Sequence, residues 1–241
     1  MDPGFKVEGR DGRCGGCLTS FSRSATLYDA MTRSSDDPAA ADRRALRAAI
    51  RRTRRALPPA EQARHADLCS HLLIGLSVFR NARRIAVYLP ADGEIDTAPL
   101  IARARALGKM LYLPVLLPHG AGRLWFARYA ADEALVDNRF GIPEPAHAVH
   151  TRISPLALDL VLTPLVAFDP QGHRLGMGGG FYDRSFAYLL RHTHWRRPRL
   201  IGLAHDFQCR PQLPHQPWDV PLHAVVTEKR VYACAQQSRH D

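Results

Sequence analysis

The chain has no apolar run long enough to cross a bilayer, which argues against a membrane-spanning helix. Its N-terminus lacks the basic-then-apolar pattern of a secretory signal, which argues against export. Cysteine is scarce, with five residues in 241. Cys14 and Cys17 form one CxxC, but no second pair completes a zinc site, and Cys69, Cys209 and Cys234 are scattered. A disulfide scaffold is therefore not expected, and a reducing cytoplasm is the natural compartment. There is no G-x-x-x-x-G-K-[ST] phosphate loop, no G-x-G-x-x-G dinucleotide fingerprint and no H-E-x-x-H zinc motif. No Ser-His-Asp signature is evident, and there is no internal repeat.

What is present is basic charge, and it is concentrated. The formal net charge is +10. Residues 42–55, "DRRALRAAIRRTRR", hold seven arginines against one acid. Clustered cations point to a polyanion: nucleic acid, nucleotide phosphates or a polyglutamate chain. The same stretch has helical periodicity, with Ala45, Leu46, Ala49, Ile50, Thr53 and Leu57 on one face, and Pro58-Pro59 ends it. Residues 1–40 are rich in Gly, Ser, Asp and Arg without an apolar period, and are expected to be a disordered extension.

Further along, short β-rich runs alternate with helical patterns. A second helix fits 60–76, and strands fit 84–90, 110–117, 122–130, 198–205 and 224–228. Helices fit 97–108 and 181–192. The run 158–168, "LDLVLTPLVAF", is continuously apolar, as in a strand covered on both faces. This alternation predicts an α/β layered fold with a mainly parallel central sheet flanked by helices, a Rossmann-like arrangement.

The most unusual stretch is 172–185, "GHRLGMGGGFYDRS", with five glycines between Gly172 and Gly180. Bare backbone after a buried strand and before a helix exposes unpaired N–H groups to an anion, most often a phosphate. Arg174 enters this loop and could pair with the phosphate. Asp183 follows it, placed to hold Mg²⁺ there or simply to favour the helix start. Phe181 and Tyr182 suit either a stacked planar ligand or core packing.

Residues 159–189, "DLVLTPLVAFDPQGHRLGMGGGFYDRSFAYL", resemble the signature of the 5-formyltetrahydrofolate cyclo-ligase family. "RRALRAAIRRTRRAL" (43–57), "YLPADGEIDT" (88–97), "NRFGIPEP" (138–145) and "WDVPLHAVVTE" (218–228) resemble further family segments, in order. The resemblance implies one domain over 41–232 with 233–241 as a tail. It also implies ATP- and Mg²⁺-dependent closure of 5-formyltetrahydrofolate, with or without a polyglutamate tail, to 5,10-methenyltetrahydrofolate. By the same resemblance Arg43, Arg47, Arg174, Gly176, Gly178, Gly179, Gly180 and Tyr182 would serve ATP. Glu94, Met177, Phe181 and Tyr182 would serve the folate, and Asp183 and Asp219 the metal, with Arg174 and Asp183 closest to the chemistry. Some members carry Lys at the Gly179 position and Asp at the His223 position, so His223 is not expected to be a ligand. The remaining arginines of 43–57 read as a solvated face. His147, His150, His192 and His194 make no ligand spacing and are expected on the surface. Cys69 and Trp125 are expected in the core.

Two other classes compete. A nucleic-acid-binding protein built on the arginine helix explains the charge but not the glycine loop or Glu94. A nucleotide-binding, non-cyclising relative would keep the loop without the folate positions. The expected assembly is a monomer or weak homo-oligomer, with no membrane or nucleic-acid partner.

Overall fold

The computed structural model describes residues 38–116, 122–138, 141–191 and 197–234. Cys14, Cys17, His192, His194 and nearly all of the expected extension and tail lie outside the described residues. Ala41–Asp241 is one compact unit, and the first helix among the described residues begins at Pro38.

Helices α1 (Pro38–Ala56), α2 (Pro59–Gly75) and α3 (Ser77–Asn81) lead to β1 (Arg84–Ala86), α4 (Ala98–Ala106) and β2 (Met110–Leu116). An irregular middle holds β3 (Leu124–Arg128), β4 (Leu135–Asp137), β5 (Pro143–Pro145), α5 (Ala148–Thr151) and β6 (Arg152–Ile153). Then come β7 (Leu160–Pro164), β8 (Ala167–Phe168), β9 (Arg174–Leu175), α6 (Phe181–Phe186) and α7 (Tyr188–Arg191). The last elements are β10 (Arg199–Leu203), β11 (Ala224–Val226) and β12 (Val231–Ala233). No helix among the described residues is long and apolar enough to cross a membrane.

The central sheet runs β12-β11-β10-β7-β1-β2-β3-β6. Its inner five strands, β11 to β2, are mutually parallel, and β12, β3 and β6 add antiparallel edges. The chain proceeds from β1 outward to β2, then returns to place β7 on the other side of β1. In such sheets ligands gather beyond the carboxyl ends of the strands at this reversal.

Alternation along the strands explains their apolar sequence. Ile85, Leu111, Leu113, Leu160, Leu162, Ile201 and Leu203 pack with Ala66, Cys69 and Leu73 of α2 and Leu100 and Ile101 of α4. Their neighbours Ala86, Tyr112, Val161, Leu200 and Val225 face the opposite layer, with Phe186, Phe168 and Leu222. Both faces are covered, so neither set is polar. Cys69 belongs to this core, as expected.

Three sequence expectations change. The run 158–168 is not one strand. It leaves the sheet after Pro164, and β8 pairs instead with β9 as an antiparallel hairpin. The carbonyls released at the break are satisfied: Leu165 O accepts from Arg54 (3.2 Å) and Gln208 (3.0 Å), and Val166 O from Gln208 (2.8 Å). The helix at 181–192 divides at Ala187, where Leu190 N–H bonds back only three residues, to Ala187 O. The inner face of α1 is also shifted. Ala45 and Thr53 are exposed, and the stripe turned inward runs through Arg43, Leu46, Arg47, Ile50 and Arg54. Ile50 and Leu46 pack on Val166, Ala167 and Leu175 of the hairpin, which seats the basic helix against the glycine loop.

Candidate functional site

Two segments meet at the reversal between β1 and β7. The first follows β1. Ala91-Asp92-Gly93-Glu94 is a tight turn closed by Glu94 N–H to Ala91 O (3.0 Å). Both central residues take positive φ, Asp92 at 55° and Gly93 at 73°, a conformation that tolerates Asp and favours Gly. The turn bends Glu94 inward. Its Oε2 accepts from Ala91 N–H (3.2 Å), and its Oε1 lies 3.7 Å from Arg54 Nη1. Burial raises the Glu94 carboxyl above the usual carboxylate range, against the Ala91 hydrogen bond and the Arg54 charge, which pull it down.

Arg54 corrects a sequence expectation. Its place in the basic run suggests a solvated arginine, yet its side chain is fully buried. It donates to Asp92 Oδ2 (3.0 Å) as well as to Leu165 O. Arg51 (2.5 Å) and Arg55 close on the same Asp92. Although burial opposes it, these three guanidinium groups hold the Asp92 carboxyl low. Three arginines of α1 therefore converge on Asp92, with Arg54 alone fully buried, and position the Glu94 turn. Periodicity alone could not show this, because an arginine with an apolar stem can occupy a core stripe when its head finds carboxylates.

The second segment is the glycine loop. Gly178 (φ 103°) and Gly180 (φ 60°) form its bends, and Gly180 precedes α6 with no side-chain cap. With only six residues, α6 adds little helix dipole, so the loop amides and nearby cations dominate any attraction for an anion. Arg47 Nε donates to Gly176 O (2.8 Å), and its guanidinium lies beside Gly178. Burial, and then Arg43, lower the pKa of Arg47, which places Arg43 and Arg47 in one electrostatic neighbourhood. Met177 is exposed on the loop. A Cβ on Gly179 would sit 2.6 Å from the Phe181 ring, so the glycine here matches the present seat of that ring.

Two residues of this region escape sequence reasoning. Arg184 folds back to donate to Gly179 O (2.5 Å) and Gly122 O (3.1 Å) and lies over the Phe181 ring (5.3 Å). Asp169 is the other. Fully buried, it accepts from the backbone of Gln171 (3.1 Å), His173 (2.9 Å) and Leu213 (2.9 Å) and so shapes the turn entering the loop. The only sequence signal for either is proximity to the motif.

Arg174 and Asp183 are partners. Arg174 Nη2 lies 2.5 Å from Asp183 Oδ1, and Nη1 bonds Val220 O. Val220 N–H donates to the same Asp183 oxygen (3.2 Å). Arg174 thus holds Asp183 directly, and the pair clasps the segment carrying Asp219. The Asp219 Oδ2 accepts from Gln216 N–H (2.8 Å). Burial raises its carboxyl above the usual range, opposed by that bond and reinforced by the nearby charge of Asp183. Two neighbouring carboxylates of like charge, each tethered through one oxygen, are a donor set suited to a hard divalent cation.

Tyr182 connects the two segments. It is close enough to feel both Glu94 and Arg174, and burial pushes its hydroxyl well above the ordinary tyrosine range. It also stacks on Phe186, 6.3 Å between centroids. Tyr88 adjoins the same group and bonds Ile95 O (3.3 Å). His223 stays out of the site. Its Nδ1 accepts from Leu200 N–H (3.0 Å), and burial drives its pKa down to about 4. His147 is exposed. A surface cleft lined by Ser77, Asn81, Asp159, Arg197 and Arg199 lies at the opposite, amino ends of β7 and β10. It is remote from the reversal, where an open parallel sheet binds its ligands.

Known proteins are similar to this chain. A 5-formyltetrahydrofolate cyclo-ligase of Escherichia coli K12 is 43% identical over 183 residues, covering 76% of this chain and 98% of its own. The Haemophilus influenzae 5-formyltetrahydrofolate cyclo-ligase is 39% identical over 186 residues, covering 76% and 96%. An NMR structure of Aquifex aeolicus 5,10-methenyltetrahydrofolate synthetase superposes with a TM-score of 0.67 at 29% identity, over 83% of this chain and 99% of that one. With the family profile also matching residues 39–228, the glycine loop, the Glu94 turn and the basic helix fall in one shared frame, and the chain belongs to the 5-formyltetrahydrofolate cyclo-ligase family.

Proposed function

We propose that this enzyme converts 5-formyltetrahydrofolate, with or without a polyglutamate tail, to 5,10-methenyltetrahydrofolate, using ATP and Mg²⁺ and releasing ADP and phosphate. The names of its relatives support the substrate and product. The observation that carries the reading is the convergence of a buried carboxylate turn and a glycine loop beside cations at one strand reversal.

A formamide oxygen is a poor leaving group. Transfer of the ATP γ-phosphoryl to that oxygen makes it a good one. N10 then attacks the formyl carbon and gives up its proton, the carbon–oxygen bond breaks, and phosphate leaves carrying that proton's equivalent. Such chemistry needs positioning and charge neutralisation more than a protein nucleophile. Arg43, Arg47 and the amides of Gly176, Gly178, Gly179 and Gly180 bind the triphosphate. Arg174 orients Asp183, which with Asp219 holds Mg²⁺. When bound, the metal neutralises charge on the phosphate oxygens. Glu94 accepts from the N–H edge of the aminopyrimidinone ring, kept in register by Arg54. Phe181, Tyr182 and Met177 line the folate side.

The assay mixes protein, 5-formyltetrahydrofolate and Mg-ATP and follows the near-ultraviolet absorbance of methenyltetrahydrofolate. Well-folded protein without ATP-dependent product would refute the reading. Asp183→Asn keeps an acceptor for Val220 N–H but removes the charge. Its turnover is expected to fall by about a hundredfold or more, the scale of one lost transition-state electrostatic contact. Near-normal turnover would overturn the metal role.

A further inference from the structure

We propose a second metal site, for a borderline divalent cation such as Zn²⁺, built from His65, His205 and Glu228. It is separate from Asp183 and Asp219 and does not depend on the folate reading.

The three residues come from different elements: α2, the end of β10 and the segment after β11. His65 Nδ1 lies 2.9 Å from His205 Nδ1 and 4.0 Å from Glu228 Oε2, and all three donor atoms fall within 4.8 Å of one another. A tetrahedral Zn²⁺ with bonds of about 2.0–2.1 Å sets its ligands about 3.4 Å apart. These two separations straddle that value by about 0.6 Å or less, within reach of small side-chain rotations. His65 is 7% exposed and His205 is 0% exposed, so neither is a surface histidine.

The outer contacts match a ligating set. His205 Nε2 lies 3.1 Å from Gly93 O, and a ring N–H donated there leaves the Nδ1 lone pair facing His65 and Glu228. A ligating imidazole characteristically gives its other N–H to a carbonyl or carboxylate. Glu228 Oε2 accepts from Asp206 N–H (2.9 Å), which fixes the carboxylate, and the same oxygen keeps a second lone pair for a cation. Two imidazoles and a carboxylate suit zinc better than magnesium, which prefers oxygen donors. The nearby Arg54 charge is offset by Asp92 and Glu94. Without metal, the two rings can share one hydrogen bond, with His65 Nδ1–H donating to His205 Nδ1. Binding replaces that bond when His65 shifts its proton to Nε2.

The test titrates metal-stripped protein with Zn²⁺ against a chromophoric chelator and repeats the titration with Co²⁺, reading its visible ligand-field bands. The expected result is one ion per chain and four-coordinate Co²⁺ bands. Affinity should fall at least tenfold in His65→Leu and in Glu228→Gln, and remain unchanged in Asp183→Asn. Glu228→Gln keeps an acceptor for Asp206 N–H, so it decides the matter even where His65→Leu folds poorly. Wild-type affinity in a folded Glu228→Gln protein would overturn the site. So would a loss confined to Asp183→Asn, or binding well below one ion per chain.

Discussion

Arg54→Met tests whether the one buried arginine of the basic helix anchors the Glu94 turn. Methionine keeps the apolar stem and removes the guanidinium. The Arg54 side chain is fully buried, and those of its partners Asp92 and Glu94 are 15% and 11% exposed. Removing one member of a buried ion pair costs about 3–5 kcal/mol, because the other charge is left uncompensated. Asp92 retains Arg51 and Arg55, and Leu165 O retains Gln208, so the lower end applies. The expected loss is about 3 kcal/mol, or about two powers of ten in the folding constant. With a urea slope of about 2–3 kcal/mol/M, the unfolding midpoint should fall by about 1–1.5 M. Most of the penalty should reside in the stranded Glu94 carboxylate. Arg54→Met combined with Glu94→Gln should therefore recover at least about 1 kcal/mol relative to Arg54→Met alone. A loss under about 1 kcal/mol, or no recovery in the double variant, would refute the reasoning.

Acid should destabilise the protein well above the carboxylate range. Burial pushes the pKa values of His205 and His223 from 6.5 down to about 4. A base with a depressed folded-state pKa binds protons more readily when unfolded. Its contribution is thus intact above about pH 6.5 and is lost as the pH falls toward 4, up to about 3 kcal/mol for each ring. Urea unfolding at pH 7 and pH 5 measures this, and His223→Gln should flatten the average slope between them by about two-thirds of a proton. Gly172→Ala should cost about 1–3 kcal/mol, because φ is 93° and the new Cβ would sit 2.6 Å from Leu222 O. Gly176→Ala meets nothing within 4 Å and should stay within about 0.5 kcal/mol of wild type, so thermal melts of the two separate strain from bare flexibility. Arg47→Met should raise the KM for ATP about tenfold, the scale of one charged hydrogen bond, with a smaller change for folate. Equal changes in both KM values would count against its place at the phosphates.

Local pattern made much of this protein legible. Gly and Pro marked the turns, apolar runs marked the buried strands, and their alternation with helices implied a parallel sheet. The spacing and content of "GHRLGMGGGFYDRS" marked one of the two segments that meet at the site, because a glycine-rich turn is visible without any contact, whereas "ADGE" stood out only by the family resemblance, since a lone turn acid looks like any exposed one. What the chain's order could not supply was which charges face each other. Arg54, Asp92 and Leu165 are far apart in sequence and meet only because β7 returns beside β1 and α1 packs on the β8–β9 hairpin. For the same reason Arg174 resolves onto Asp183, and His65 finds His205 across 140 positions. Sequence sets which groups are available. The tertiary fold decides which are desolvated together, and with them the pKa values, ion pairs and candidate metal sites.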